Sequence, residues 1–336
     1  MMQDLINEKP YQKVLVTGAA GFIGSTLVDR LLAQGAEVVG IDNFDPYYSP
    51  EQKRTNLKDA CQHPSFQLIE GDILDQALIS SIFANHEFDV VVHLAAKAGV
   101  RPSIEDPAIY FQVNVEGTLN LLTQLRQTPQ TRLVMASSSS VYGNNPNAPF
   151  AETDETSKPV SPYAASKKAG EVLAHSFFEL YGIPMSLLRF FTVYGPRQRP
   201  EMAIAKFFHL IQKGQTVPMF GDGTTSRDYT FVEDIVDGIQ LSMSRTEGFE
   251  IYNLGNSSPA SLKHMIDAIG ATVGCTPHIQ ELPEQPGDVT LTCADIRKAE
   301  LNLGYRPTTS LDQGLSIYHR WLGSHAGGIS CAENLS

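Results

Sequence analysis

Short apolar runs and stretches of helical period alternate along the first half of the chain. Lys13-Val14-Leu15-Val16-Thr17 is a brief β-rich run. The period then changes: Ile23, Leu27, Leu31 and Leu32 fall on one side of a helix expected from Phe22 to Gln34, with Gly35 as its stop. A second strand is expected from Glu37 to Ile41, ending in Asp42, and a third over Phe66–Glu70. Asp89–Leu94 is apolar without alternation, the mark of a parallel strand covered on both faces. A helix from about Pro107 to Gln127 and a strand over Leu133–Ala136 follow. Ser161 and Pro162 are a suitable N-cap and first residue for another helix, and Met185–Arg189 reads as the next strand. This alternation predicts an α/β fold, a doubly wound parallel sheet of Rossmann type.

Beyond Arg189 the pattern shifts. Phe190–Pro200 is rich in aromatics, Arg and Pro and suggests binding loops. An amphipathic helix is expected over Ala203–Lys213, a loop over Gly221–Tyr229, a helix over Val232–Ser242 and a strand at Ile251–Gly255. A Pro/Gly-rich loop near Leu282–Asp288 and a last helix over Leu311–Trp321 complete the reading. The expected division is a dinucleotide-binding domain over 1–183 and a smaller C-terminal substrate domain over 184–326. Segments near 231–255 return to the first domain, and a disordered tail covers 327–336.

Composition narrows the functional classes. The 336 residues are 42% hydrophobic and 18% charged, enough core for one large or two modest domains. A formal net charge of −12 argues against nucleic acid or an anionic membrane as the partner, so an anionic substrate needs a local convergence of cations. The start, MMQDLINEKPYQ, has no basic-then-apolar signal pattern, and no apolar run is long enough to span a membrane. Cys61, Cys275, Cys293 and Cys331 stand apart without a CxxC, and the histidines include no HExxH, so neither a metal site nor a disulfide framework is expected. The expectation is a soluble, reduced, cytoplasmic protein.

Gly18-Ala19-Ala20-Gly21-Phe22-Ile23-Gly24 follows the first strand at once. Strand, glycine turn, helix, strand and acid form the dinucleotide-binding arrangement. The glycines let the backbone approach a pyrophosphate at the positive end of the helix. Asp42 comes 24 residues after Gly18, about where an acid holds the adenosine ribose hydroxyls, and its charge repels a 2′-phosphate. NAD is therefore expected rather than NADP. Gly71-Asp72-Ile73 offers a seat for adenine, and the small residues of Ala95-Ala96-Lys97-Ala98-Gly99 leave room for a cofactor. Asn114 could cap a strand end or touch the cofactor.

The reactive chemistry centres on Tyr163 and Lys167, four apart and so on one face of the helix opened by Ser161. Forming a phenolate near pH 7 costs a free tyrosine roughly 4 kcal/mol. A nearby ammonium, helped by an oxidised nicotinamide, could supply much of that and make the phenolate a general base for an alcohol. Ser137-Ser138-Ser139-Ser140 follows a buried strand whose carboxyl end can meet this helix.

These stretches together resemble the extended short-chain dehydrogenase/reductases that act on nucleotide sugars. The matching segments are TGAAGFIG, Asp42, GDI, HLAAKAGVR, SSSSVYG, SPYAASKKAGE, LRFFTVYGP and RDYTFVEDIVDG, from about residue 13 to 255, with PGDV and LGYRP extending the match to about 307. The resemblance implies tightly held NAD, contacted by Gly18, Ala20, Gly21, Phe22, Ile23, Gly24, Asp42, Asn43, Asp72, Ile73, Leu94, Ala95, Ala96, Lys97, Asn114, Tyr163 and Lys167. It implies Tyr163 as base, Lys167 as the group that lowers its pKa and holds the nicotinamide ribose, and Ser138 as donor to the reacting oxygen. For a UDP-sugar it implies contacts from Ser138, Ser140, Thr192, Arg199 and Arg227. Arg227 is assigned to the diphosphate and Arg199 to a sugar carboxylate, with Arg197 next in line. Arg189, within a strand, could equally be a structural ion pair. A homodimer packed through the helices near 107–127 and 163–180 is also implied.

Within the family, dehydratases carry Thr-Asp-Glu where this chain has Ser138-Ser139-Ser140, and decarboxylases carry Glu at the position of Ser140. Serines alone favour plain epimerisation. The stretch TVYGPRQRPEMAIAKFF and the loop DNFDPYYSPEQKRTNLK most resemble UDP-glucuronate 4-epimerases, whereas UDP-galactose 4-epimerases usually have Asn in place of Thr192. A UDP-glucose/UDP-galactose 4-epimerase and a UDP-glucuronate decarboxylase are the alternatives.

Overall fold

The computed structural model describes residues 11–283 and 289–325. The chain start, most of the Leu282–Asp288 loop with all of the PGDV segment but Val289, and the tail from Ala326 lie outside the described residues. In chain order the strands are β1 (Lys13–Thr17), β2 (Glu37–Asp42), β3 (Phe66–Glu70), β4 (Val90–His93), β5 (Arg132–Ser138), β6 (Met185–Phe190), β7 (Thr192–Tyr194), β8 (Val217–Phe220), β9 (Ser226–Phe231), β10 (Phe249–Leu254), β11 (Pro259–Ser261) and β12 (Ile279–Leu282). The helices are α1 (Phe22–Ala33), α2 (Pro50–Asn56), α3 (Gln76–Asn85), α4 (Val100–Glu105), α5 (Pro107–Phe111), α6 (Gly117–Leu125), α7 (Pro162–Tyr181), α8 (Ala203–Gln212), α9 (Val232–Arg245), α10 (Leu262–Val273), α11 (Arg297–Leu303) and α12 (Leu311–His325).

Seven strands form one sheet in the order β10-β6-β5-β4-β1-β2-β3, and every pair in it is parallel. Successive residues of β1 explain its unbroken apolar run. Val14 and Val16 enter the core shared with Leu27 and Leu31 of α1, while Leu15 enters a second core with Leu121 and Leu122 of α6. Both faces are covered, so alternation has no place. The order reverses between β1 and β4. In such sheets a crevice opens beyond the strand ends at that switch point, where the glycine turn of this chain lies. β10 returns from the second half of the chain to the sheet edge beside β6. Among the described residues, no helix is long and apolar enough to cross a membrane.

Three segments differ from the sequence expectation. The helix expected over Pro107–Gln127 is interrupted by a π-helical turn at Gln112–Glu116, between α5 and α6. The buried Asn114 lies in that turn, held by the Lys97 backbone and the Ser166 hydroxyl. π-turns of this kind often mark functional positions. The expected loop over Gly221–Tyr229 becomes strand from Ser226, because β9 finds partners in β11 and β7. Arg227 therefore sits in a strand. The last helix runs on to His325.

Arg189 is one of the largest fully buried side chains. Its Nε and Nη2 reach the two carboxylate oxygens of Glu171 on α7, at 2.8 and 2.9 Å. The structural reading of Arg189 is the correct one. Ser137 donates to the same carboxylate (2.7 Å), and Lys168 pairs with it at 3.1 Å. This cluster locks α7, which carries Tyr163, against β5 and β6.

Candidate active site

At the carboxyl ends of β1, β2, β4 and β5 lies a cavity of about 500 Å³, within the range of ligand pockets. Its floor is the glycine turn. Gly18 adopts φ 69°, and a Cβ there would stand 2.8 Å from the Ala95 nitrogen. A Cβ on Gly24 would stand 2.0 Å from the Gly18 carbonyl oxygen. Only glycine fits at either position. The turn delivers the chain into α1, whose N-cap Gly21 offers no side chain to cover the first amides. The first turn of α1, Phe22 to Gly24, lines the cavity, and the free amides of a helix start make a fitting seat for a pyrophosphate.

Asp42, buried at the end of β2, is held in a fixed orientation. Its Oδ2 accepts from the Ala20 amide (3.0 Å) and its Oδ1 from the Phe44 amide (2.8 Å). Lys53 of α2 brings its ammonium to 3.8 Å from Oδ1 and stands over the Tyr48 ring at 4.9 Å. Asn43 and Asp72, joined at 2.8 Å, tie the ends of β2 and β3 on the same wall. An acid in this place, next to a glycine cradle that any Cβ would obstruct, fits the ribose end of a dinucleotide.

The opposite wall carries the reactive groups. Ser161 caps α7 by accepting from the Ala164 amide (3.1 Å), which points Tyr163 and Lys167 into the cavity. Ser138 ends β5, where its Oγ accepts from the Ser140 amide (3.1 Å). Its own proton is thereby left free to donate, and the Ser138 hydroxyl acts on the phenol of Tyr163 beside it to lower its pKa. Lys167 donates to the Ala136 carbonyl at 2.8 Å. The Tyr163 ring meets Tyr110 edge to face, with centroids 6.1 Å apart.

Burial raises the pKa of Tyr163 above its ordinary value, against weaker lowering by the Ser138 hydrogen bond and the Arg199 charge. Burial also brings Lys167 down to about 8, opposed by Glu171. The sequence expectation of a phenol depressed by its lysine is thus not met in the protein alone. Desolvation outweighs the nearby charges, and the charge that acts on Tyr163 comes from Arg199. His93, below them, is driven down to about 3, by burial first and then by Lys167. It is neutral, bridging Thr17 (2.7 Å) and Thr118 (3.0 Å).

Arg199 closes the open end. Its Nε faces Glu201 at 3.1 Å, its Nη1 reaches the Ala98 carbonyl at 3.4 Å, and its guanidinium stands 5.5 Å from the Tyr47 ring. Thr192 and Ser140 line the same end. So do most of the sequence-derived candidates: Gly18, Gly21, Phe22, Ile23, Gly24, Asp42, Asn43, Asp72, Ile73, Leu94, Ala95, Ala96, Lys97, Ser138, Tyr163 and Lys167. Three are not among the lining residues. Ala20 contributes its amide to Asp42, Asn114 is engaged by Lys97 and Ser166, and Arg227 donates to the Ser226 carbonyl (3.0 Å). Arg197, at φ 66°, pairs with Asp29 of α1 at 2.7 Å. Lys53, Asp45, Tyr47 and Tyr48 line the cavity without having been singled out. The signal available for Lys53 was Ser49-Pro50-Glu51, an N-cap pattern that starts α2 and sets Lys53 one turn along.

This chain is similar to several known proteins. A family model described as GDP-mannose 4,6 dehydratase matches residues 15–318. UDP-glucuronate 4-epimerase 3 of Arabidopsis thaliana is 41% identical over 340 aligned residues, covering 95% of this chain and 79% of that one. A UDP-glucuronic acid 4-epimerase from Bacillus cereus, solved with UDP-glucuronic acid and NAD, superposes with a TM-score of 0.88 at 36% identity, over 93% of this chain and 99% of that one. A UDP-glucose 4-epimerase from Thermotoga maritima, solved with UDP-glucose, gives 0.87 at 31%, over 94% and 100%.

The depressed pKa of Lys167 makes a prediction about stability. Between about pH 8 and pH 10.4 the native state binds fewer protons than the unfolded chain, so native stability rises with pH across that window. Below it the buried ammonium carries its full cost. With the dinucleotide stripped from both proteins, Lys167→Met is expected to melt above wild type near pH 7. That advantage shrinks as the pH rises through about 8 towards 10. Thermal unfolding across this range checks it, and an advantage that stays constant with pH would contradict the assignment.

Proposed function

The chain belongs to the GDP-mannose 4,6-dehydratase family of extended short-chain dehydrogenase/reductases, and from that premise we propose that it epimerises carbon 4 of a UDP-sugar with NAD, interconverting UDP-glucuronate and UDP-galacturonate. The observation that carries this reading is the meeting of Ser138, Tyr163 and Arg199 at one end of the cavity, with serines at 138–140 and no carboxylate among them. Bound NAD supplies the acceptor for the carbon 4 hydride and its donor on return. Tyr163 takes the proton of the 4-hydroxyl, and Ser138 donates to the same oxygen as charge develops on it. Lys167 holds the nicotinamide ribose. Gly18, Gly21 and Gly24 let the backbone approach the pyrophosphate, and Asp42 accepts from the adenosine ribose. On this reading residues 1–183 hold chiefly the dinucleotide and 184–326 the sugar nucleotide, with 231–255 returning to the first part.

Arg199 meets the sugar carboxylate. Oxidation at carbon 4 creates a ketone β to that carboxylate, and such acids lose CO₂ when the breaking bond stands perpendicular to the carbonyl plane. A guanidinium gripping both oxygens fixes that plane. The decarboxylase alternative lacks support from Ser140, where the family's decarboxylases carry Glu. The UDP-glucose alternative would leave Arg199 without a charged partner in the substrate. Arg227 is kept for the diphosphate only through a change of rotamer, since its guanidinium now turns to its own strand.

A homodimer is part of the proposal. Exposed apolar side chains gather on the neighbouring helices α5, α6 and α7: Phe111 (43%), Leu119 (39%), Val172 (59%) and Leu180 (71%). Isolated, each is ordinary, but together they make a face that a second copy can cover.

Two experiments test these readings. Turnover of Tyr163→Phe on UDP-glucuronate is expected to drop about 10² or more with folding intact, and product identification with UDP-glucuronate, UDP-glucose and UDP-xylose in parallel fixes the sugar. Arg199→Ala in the same assay should raise KM for UDP-glucuronate far more than for UDP-glucose. Near wild-type turnover in the phenylalanine variant would remove the base assignment. For assembly, light scattering should give twice 36.8 kDa, and Leu119→Asp with Val172→Asp should halve it. A monomeric wild type would end the dimer proposal.

A further inference from the structure

We propose that Asp45, Tyr47 and Lys97 form a strap across the dinucleotide crevice, closing over the bound cofactor and slowing its release. This rests on the reading above that the cavity takes NAD. The sheet order supplies the first step. β1 lies between β4 and β2, and the glycine turn follows β1. The loop after β2 and the loop after β4 therefore rise on opposite sides of that turn. Their parent strands are two sheet spacings apart, roughly 10 Å.

Asp45 and Lys97 close that gap. The Lys97 ammonium donates to both carboxylate oxygens of Asp45, at 2.9 and 2.8 Å. The Tyr47 ring adds a second connection, 5.8 Å from the Lys97 ammonium and 5.5 Å from the Arg199 guanidinium. All four residues line the cavity.

Both feet of the strap are rigid. On the β2 side, the Asp42 carboxylate accepts from the Phe44 amide, Asn43 accepts from the Asp45 amide (3.0 Å), and Asp45 accepts from the Tyr47 amide (2.9 Å). Phe44 holds φ 51°, and the Arg54 guanidinium lies 4.1 Å from its ring centre. On the β4 side, Asn114 accepts from the Lys97 amide (2.8 Å) and donates to the Lys97 carbonyl (3.0 Å). That gives the π-turn a purpose: it sets the foot from which the Lys97 side chain reaches across. Between the feet, the ion pair and the Tyr47 ring span the opening. Their partial exposure (side chains at 21% for Lys97 and 28% for Asp45) keeps the closure reversible.

An epimerase returns the hydride it takes, so its dinucleotide has no need to leave between turnovers. A closing bridge then costs nothing in rate, which is untrue of a net dehydrogenase that must exchange its cofactor each cycle.

The test measures exchange of the dinucleotide that the full-length protein carries on purification against isotopically labelled NAD, with melting temperatures as a folding control. Asp45→Asn, which leaves Lys97 in place, is expected to exchange about tenfold faster than wild type, the effect appearing in the off-rate. Lys97→Met should behave likewise. The charge swap Asp45→Lys with Lys97→Asp should move back towards wild type, which loss of a purely local contact would not allow. An unchanged exchange rate in Asp45→Asn, or a swap no slower than the single variants, overturns the strap while leaving the cavity reading intact. A wild-type protein that releases no NAD on denaturation overturns both.

Discussion

Burial of an ionisable pair, Tyr163 and Lys167, is the constraint to which the surrounding structure answers. Low polarity raises the phenol and lowers the ammonium, so burial works against the very charge states that base catalysis uses. The opposing forces must be held in fixed places, and the fold holds them. Ser138 lowers the phenol from the end of β5, while its acceptor side is occupied by the Ser140 amide. Arg199 contributes its charge from the loop after β7. Glu171 raises Lys167 from one turn along the same helix. Glu171 can do so only because, despite a burial that pushes its carboxyl up, its bonds to Arg189 and Ser137 keep it below the usual range and ionised. Losing Arg189 would remove the two-pronged partner of a buried carboxylate and leave it only the partly exposed Lys168 and the Ser137 hydroxyl.

The second constraint is electrostatic economy on the scale of the molecule. A chain with a net charge of −12 repels a nucleotide sugar at long range. Lys53, Lys97, Lys167 and Arg199 nevertheless converge on one cavity. Three of the four pair with a carboxylate, Asp42 and Asp45 in the cavity wall and Glu201 beside it. These acids orient the cations and spare them from competing for one another's space. The wall therefore presents directed hydrogen-bond donors, and the positive charge is local to where an anion must sit.

What was legible in the sequence was what neighbours along the chain decide. The continuous apolar run of β1 announced a strand covered on both faces, and Val14, Leu15 and Val16 are fully buried in two cores. Ser161 and Pro162 announced the start of α7, and with it the shared face of Tyr163 and Lys167. The glycine turn was readable because its spacing is fixed by backbone contact, down to the Gly18 carbonyl against Gly24. What was not legible depends on partners distant in sequence. β9 is polar at its start and becomes strand only through β11 and β7. The π-turn at Asn114 has no local marker, since its cause lies at Lys97 and Ser166. Arg197 and Arg199 look alike in the sequence, yet one pairs with Asp29 outside the cavity and the other lines it. Two residues of separation on an irregular loop decide that, and no periodicity reports it.

These differences divide the site into two kinds of recognition. The dinucleotide end is built from backbone: amides at the start of α1, glycines that permit contact, and an acid whose orientation is set by two more amides. Such a surface is tied to the sheet and changes only if the sheet changes. On the proposed reading the sugar end relies on side chains at strand ends and in a loop, Ser140, Thr192 and Arg199, which can be exchanged without moving the sheet. A common scaffold with different sugars among its relatives follows from this division. The group proposed to meet the sugar carboxylate here, Arg199, is braced by a carboxylate, a carbonyl and an aromatic ring. Bracing of that kind costs a flexible side chain its rotamer freedom before any substrate arrives. A carboxylate whose orientation must be controlled through a β-keto stage gains most from a group ordered in advance.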